Sequence, residues 1–351
     1  MMDRELLVQN ARRFAEQQAS QRTTLVAAYL TGSLARSEPQ LGGSSDLDIV
    51  LVDSAPPDNY ESCVALSELV HIELSYLHPR EFADKRALRQ HPHLAQTVFD
   101  AMRLYDPQHF FDLLQAVVRG QFDTSENVHA RARNACARAR QELARISAYR
   151  ALPAPIPLDP DDLRALLATV EWSITAVLSL VYQSNAQRQQ LRLLAAAATR
   201  LAQPSLMPLA LQALGYGPPD ATTLQALRAA WITLHKAAAE LPPEALAAHM
   251  DASPARHAYY LRAFDALDAS GDGRLALPFV ERALAASAAA LLQSAEPEPA
   301  ALALEHYASF LSQTGKGSAE QLSDRIDAAS RLIDAVEAVV QNWARTEGVA
   351  A

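Results

Sequence analysis

The sequence predicts an α+β protein, with a small mixed-sheet domain over residues 1–120 followed by a large all-helical bundle over residues 121–351. Three observations carry that expectation. Runs rich in Val, Ile, Leu and Tyr, separated by polar breaks, concentrate ahead of residue 106. From about Thr124 onward almost every segment is built of Ala, Leu, Arg, Gln and Glu, which are good helix formers, punctuated by Pro- and Gly-bearing breaks. The chain is 351 residues long and 50% hydrophobic, enough to bury two substantial cores.

In chain order, a helix is expected over Asp3 to Ser20 and a first strand over Thr24 to Leu30. Further strands are expected over Leu47 to Val52 and Val70 to Leu77, with helices over Glu61 to Leu69 and Pro79 to Gln90, and a short strand before Asp106-Pro107. The break Pro153-Ala154-Pro155-Ile156-Pro157 precedes a helix that Asp159 can cap. Pro160 suits its first position, while Asp161 and Asp162 suit its positive end. That helix should run to about Tyr182. Leu163, Leu167, Val170, Ile174, Val177 and Val181 form one apolar stripe, and Ala165, Ala168, Trp172 and Ala176 lie opposite, so the helix belongs inside a bundle. Breaks at Pro204, Gly215 to Pro219, Pro242-Pro243, Gly271 to Gly273 and Gly315 to Gly317 separate later helices, and Ser318-Ala319-Glu320-Gln321 opens the last as a capping box. No repeat at a fixed period is evident.

With a net charge of -9, the chain lacks the basic surface that extended nucleic acid requires, and a small, cationic acceptor suits it better. Two cysteines, Cys63 and Cys136, are too few for a disulfide framework or thiolate metal site and read as packing residues. No uninterrupted apolar run of spanning length is apparent and the start is charged, so no membrane partner and a cytoplasmic location are expected. A homodimer remains open.

Chemistry concentrates in one stretch. Gly32-Ser33 is followed, after twelve residues, by Asp46-Leu47-Asp48 running into Ile49-Val50-Leu51-Val52. Side chains alternate along a strand, so Asp46 and Asp48 share one face while Leu47, Ile49 and Leu51 take the other. Two convergent carboxylates suit Mg²⁺, a hard cation that keeps room for substrate phosphates. One strand later, His71-Ile72-Glu73-Leu74-Ser75 offers a third carboxylate.

The segment Leu30-Thr31-Gly32-Ser33-Leu34-Ala35-Arg36, followed by Ser45-Asp46-Leu47-Asp48-Ile49-Val50, resembles the DNA polymerase β-like nucleotidyltransferase superfamily. That family's pattern is an apolar residue, Gly-Ser or Gly-Gly, a spacer, two acidic residues flanking an apolar one, and a third acidic residue on a later strand. The likeness covers the first third of the chain, and the helical remainder is similar in kind to the bundles of aminoglycoside-type antibiotic nucleotidyltransferases. It implies that Asp46, Asp48 and Glu73 hold two Mg²⁺ ions and carry catalysis. It further implies that Gly32, Ser33 and Arg36, assisted by Ser45, contact the phosphates of ATP or another nucleoside triphosphate. The implied reaction is attack of an acceptor hydroxyl, on a small aminoglycoside-like molecule, at the α-phosphorus with pyrophosphate leaving. Transfer to a protein hydroxyl, or nucleotide sensing without turnover, are the alternatives. Ser37 departs from the pattern, because many relatives carry Gly after the Arg.

Weaker signals have plainer readings. His71 is either a polar position on a half-exposed strand or a group orienting Glu73. Glu171 is a solvated flank of its helix, or a general base in the cleft competing with Glu73 for that role. Trp172 reads as packing. Asp268 to Gly273 imitates the start of a calcium loop, but the twelfth position is Phe279. Gly315-Lys316-Gly317-Ser318 lacks the upstream Gly and strand of a phosphate loop and reads as a linker. Arg228 and His235 match the Arg-to-His spacing of helical ribonucleases, a spacing that Arg86 with His91 and Arg103 with His109 share.

Overall fold

A computed structural model of the chain describes residues 3–57, 61–147, 158–217, 221–294 and 297–349. Five strands, β1 (Leu25–Thr31), β2 (Ser45–Asp53), β3 (Glu61–Ala65), β4 (Val70–Leu77) and β5 (Met102–Tyr105), form one sheet in the order β3-β4-β2-β1-β5. β2 and β4 run parallel and the other three pairings are antiparallel, so the sheet is mixed. Around it lie α1 (Arg4–Gln21), α2 (Gly32–Ala35), α3 (Lys85–Gln90), α4 (Leu94–Asp100) and α5 (Phe110–Arg119). The rest is helical: α6 (Ser125–Ile146), α7 (Pro160–Leu180), α8 (Gln190–Arg200), α9 (Leu206–Leu214), α10 (Ala221–Ala239), α11 (Pro243–Leu246), α12 (His257–Ala269), α13 (Leu277–Leu292), α14 (Pro297–Gln313) and α15 (Ala319–Thr346).

Strand alternation divides the sheet's side chains between two cores. Leu47, Ile49 and Leu51 of β2 pack with Leu7, Ala11 and Ala15 of α1. Val50 and Val52 face the other way, onto Phe82, Val98 and Phe111, with Tyr29 stacked on Phe111 at 4.4 Å. Asp46 and Asp48 continue that second face beyond the helices that cover it. A third core extends from Val128 to Val340 and unites the bundle.

Two expected helices are corrected. Glu61 to Leu69 is not helical: Glu61–Ala65 forms β3, antiparallel to β4, with the amides of Leu66 and Ser67 both bonded to the Val70 carbonyl in the connecting turn. Ala, Leu and Glu favour a helix there, but β4 offers a ladder of backbone partners along one side of the segment, which becomes the edge strand of the sheet. Pro79 to Gln90 divides into a 3₁₀ turn, Pro79–Phe82, and α3, because the Asp84 side chain accepts from the amides of Arg86 and Ala87 and starts a new helix. The Pro153 to Pro157 break lies outside the described residues, as do Pro218 and Pro219. After it Asp159 accepts from the Asp161 amide with Pro160 in the first turn, and α7 ends at Leu180.

Segments Pro160–Leu180 and Gly273–Leu292 are long and apolar enough on average to cross a membrane by length and composition, although charged residues such as Glu171 and Glu281 interrupt both. In this structure 72% and 83% of their apolar windows are buried, against other helices.

The Gly315 to Gly317 break is likewise more than a linker. Lys316 is fully buried, and its ammonium donates to Glu281 Oε1 at 2.8 Å and to the Leu214 carbonyl at 2.7 Å, joining three helical segments. Burial pulls Lys316 down and pushes Glu281 up, each opposed by its partner. Lys316→Met strands the carboxylate and should cost about 3–5 kcal/mol near neutral pH. A glutamate with a raised folded pKa binds its proton more tightly folded than unfolded, so its contribution is complete below the unfolded value and lost as pH rises. Urea unfolding should therefore show the variant regaining stability relative to wild type as pH falls from about 8 to about 5.

Candidate functional site

The parallel register of β2 and β4 sets Asp46 opposite His71 and Asp48 opposite Glu73. Opposite residues share a face, so the three carboxylates converge and one oxygen from each lies within 4.8 Å of the others. Glu73 is held from two sides. His71 Nε2 meets its Oε1 at 2.8 Å, and the Arg256 guanidinium meets its Oε2 at 2.6 Å. The Tyr259 hydroxyl donates to Asp46 Oδ2, while Asp46 Oδ1 is buried with no partner among the described residues. No described donor forms a hydrogen bond with the Asp48 side chain.

These environments separate the two aspartates. For Asp46, burial acts to raise the pKa, but Arg188, the Tyr259 hydroxyl and His71 together outweigh it and hold the carboxyl below its usual range. For Asp48, burial and then the charges of Asp46 and Glu73 push it well above that range, against the opposing pull of Arg256 and Arg36. Burial also drives the Tyr259 phenol far up, so it acts as a donor. All-oxygen donors, a buried oxygen with no partner and an excess of negative charge fit a hard divalent cation such as Mg²⁺.

Gly32 closes one side of this cluster. It sits at φ 74°, and a Cβ added there would lie 1.7 Å from Asp48 Oδ2, so only glycine lets the turn approach that carboxylate. Gly32, Ser33 and Arg36 line a cavity of about 750 Å³ together with the three carboxylates. Arg36 is already engaged: its Nε and Nη2 reach the two Glu38 oxygens at 2.7 and 3.1 Å. Ser37, where many relatives in the resembled family carry Gly, takes the left-handed conformation at φ 60°. Ser45 stands apart. Its buried hydroxyl donates to the Asp46 carbonyl at 3.3 Å and does not line the cavity.

Three residues that sequence reasoning missed come from the helical part. Arg256 precedes α12, Tyr259 lies in its first turn, and Arg188 belongs to the α7–α8 connection. The Arg188 guanidinium lies 3.4 Å above the Tyr259 ring and donates to the Leu41 carbonyl and Ser44 hydroxyl at 3.2 and 3.1 Å. No local motif marks them, because all three act across more than a hundred residues of chain.

A second cavity of about 680 Å³ shares Glu73 with the first and is lined by Glu171, Trp172, Asp251, Arg256 and Arg282. Glu171 is not a solvated flank but is ion-paired with Arg282. Trp172 packs on the bundle core and also lines this cavity. His71, read most simply as half-exposed, is buried beneath Glu73. The remaining signals lead elsewhere. Phe279 stacks on Tyr260, His235 is buried beside Trp231 and His257, and Arg228 pairs with Asp265.

Compared with known proteins, the chain matches no family model and no curated sequence. In the absence of metal, Asp48→Asn removes one of three crowded carboxylates and should stabilise the fold by about 1 kcal/mol or more, while abolishing divalent-cation binding. Urea unfolding and Mn²⁺ titration of the same sample check both halves.

Proposed function

We propose that this protein is a Mg²⁺-dependent nucleotidyltransferase that moves a nucleoside monophosphate, AMP from ATP in the first instance, onto the hydroxyl of a small molecule. The observation that carries this reading is the convergence of Asp46, Asp48 and Glu73 within 4.8 Å beside the Gly32-Ser33 turn, at a cavity large enough for a nucleotide. In that role the three carboxylates hold the metal, which when bound supplies charge neutralisation for the triphosphate and for the attacking and leaving oxygens.

The chain's own residues do the rest. Gly32 admits the phosphates beside Asp48, and the Ser33 hydroxyl is available as a donor on the same wall. Gln183, Asn185, Gln187 and Gln189 line the bundle side of the larger cavity, where uncharged amides can read a base edge by hydrogen bonds. The acceptor enters the second cavity, whose shared wall at Glu73 brings its hydroxyl to the carboxylates. The acceptor oxygen forms a bond to the α-phosphorus as the bond to pyrophosphate breaks, and the hydroxyl proton passes to a cavity carboxylate, Glu73 or Glu171. A net charge of -9 favours a small acceptor over a polyanion.

One observation favours nucleotide binding without turnover as a second reading: Glu38 occupies the Arg36 fork that would otherwise meet a phosphate. Calorimetric titration of non-hydrolysable ATP, GTP, CTP and UTP analogues with Mg²⁺ tests the shared basis of both. Wild type should bind at least one of them, with the Asp46→Ala, Asp48→Ala double variant weakened by about 100-fold or more. Equal binding by the two proteins, or none by wild type, would overturn the assignment, and pyrophosphate release with an acceptor panel separates transfer from sensing.

A further inference from the structure

We propose that Tyr259, from the helical bundle, is a positioning residue for the metal centre, its hydroxyl holding Asp46 so that the second oxygen stays free for the cation. This inference rests on the metal-centre reading above and concerns a residue more than two hundred positions from the motif.

The geometry separates the ring of Tyr259 from its hydroxyl. Arg188 covers one face of the ring at 3.4 Å, and His71 meets it edge-on at 4.8 Å between centroids. The Tyr259 backbone carbonyl accepts from Arg188 Nη1 at 3.4 Å and from the Ser44 hydroxyl at 3.5 Å. The ring and backbone are therefore fixed by contacts that do not involve the phenolic oxygen. What the hydroxyl adds is a bond to Asp46 Oδ2, which leaves Oδ1 as a buried acceptor without a partner among the described residues.

A hydrogen bond at that oxygen has a specific consequence. An aspartate beside two other carboxylates is repelled and gains by rotating away, unless one oxygen is tethered. Glu73 is tethered by His71 and Arg256, and Asp46 by Tyr259, so two of the three prospective ligands are oriented by donors outside the cation's own shell. Donors of this kind typically contribute 10- to 100-fold to metal affinity. Tyr259 thereby joins β2 to α12, and Arg188 joins the loop before β2 to the same helix, so the bundle fixes the orientation of a ligand carried by the sheet.

Tyr259→Phe removes the hydroxyl alone and keeps the ring under Arg188. Titration of Mn²⁺ into the full chain, reading free Mn²⁺ by electron paramagnetic resonance, should show this variant weakened by about tenfold or more. Its urea unfolding should stay cooperative, with the midpoint lowered only by the loss of one buried hydrogen bond. Ser44→Ala, which disturbs the same joint without touching Asp46, should bind Mn²⁺ as wild type does. Unchanged Mn²⁺ affinity in Tyr259→Phe would overturn the proposal. So would an equal loss in Ser44→Ala, or loss of cooperative unfolding in Tyr259→Phe, because each assigns the effect to the joint rather than the ligand. Failure of wild type to bind Mn²⁺ is a separate result that removes the metal centre itself, and the proposal with it.

Discussion

Three carboxylates forced within 4.8 Å of one another are the constraint around which this structure is organised. At that separation and an effective dielectric of about 20, each pair of full charges repels by roughly 3 kcal/mol. The parallel register of β2 on β4 holds their backbone positions together, because it is set by the ladder along Ser45 to Val52 rather than by the carboxylates, and leaves only side-chain rotation to relieve the repulsion. The surroundings answer the repulsion with cations and donors. Arg256 and His71 bond to Glu73, Tyr259 bonds to Asp46, and Arg188 and Arg36 add positive charge nearby. Asp48 is left as the member whose charge is least compensated, a strained arrangement of the kind that concentrates where chemistry is done.

The same constraint explains how the helical bundle meets the sheet. The segment between Gly32-Ser33 and Asp46 is more than a spacer: Leu41 to Ser44 packs against α12 and receives the Arg188 guanidinium. Gly42 adopts φ 68°, and a Cβ there would stand 2.3 Å from the Arg262 carbonyl, so the close approach of loop and helix needs that glycine. Through this joint the bundle delivers Arg256 and Tyr259 to carboxylates on β2 and β4. The two cavities that meet at Glu73 follow from it, one walled by the Gly32 turn and one by α7 and α13.

Where signals were local, sequence reading and structure agree closely. The alternation along Leu47 to Val52 places Leu47, Ile49 and Leu51 in one core and Val50 and Val52 in another. Asp159 and Ser318 cap their helices through their own side chains. Disagreement came where a distant partner decided. Glu61 to Leu69 contains Ala, Leu and Glu and reads as a helix, yet the edge of β4 draws Glu61–Ala65 into the sheet. Lys316 sits in a Gly-rich stretch that reads as a linker, yet Glu281, 35 residues away in sequence, pulls it fully inside.

By itself the sequence determined the strand carrying Asp46 and Asp48, the face they share, the glycine beside them and the later strand that carries Glu73, because strand period and turn chemistry act over a few residues. Only the tertiary structure decided that Glu73 falls opposite Asp48 and that Arg188, Arg256 and Tyr259 close around the cluster. Those outcomes depend on contacts between residues far apart in the chain, where burial and charge compensation select among many arrangements that local propensity leaves equally open.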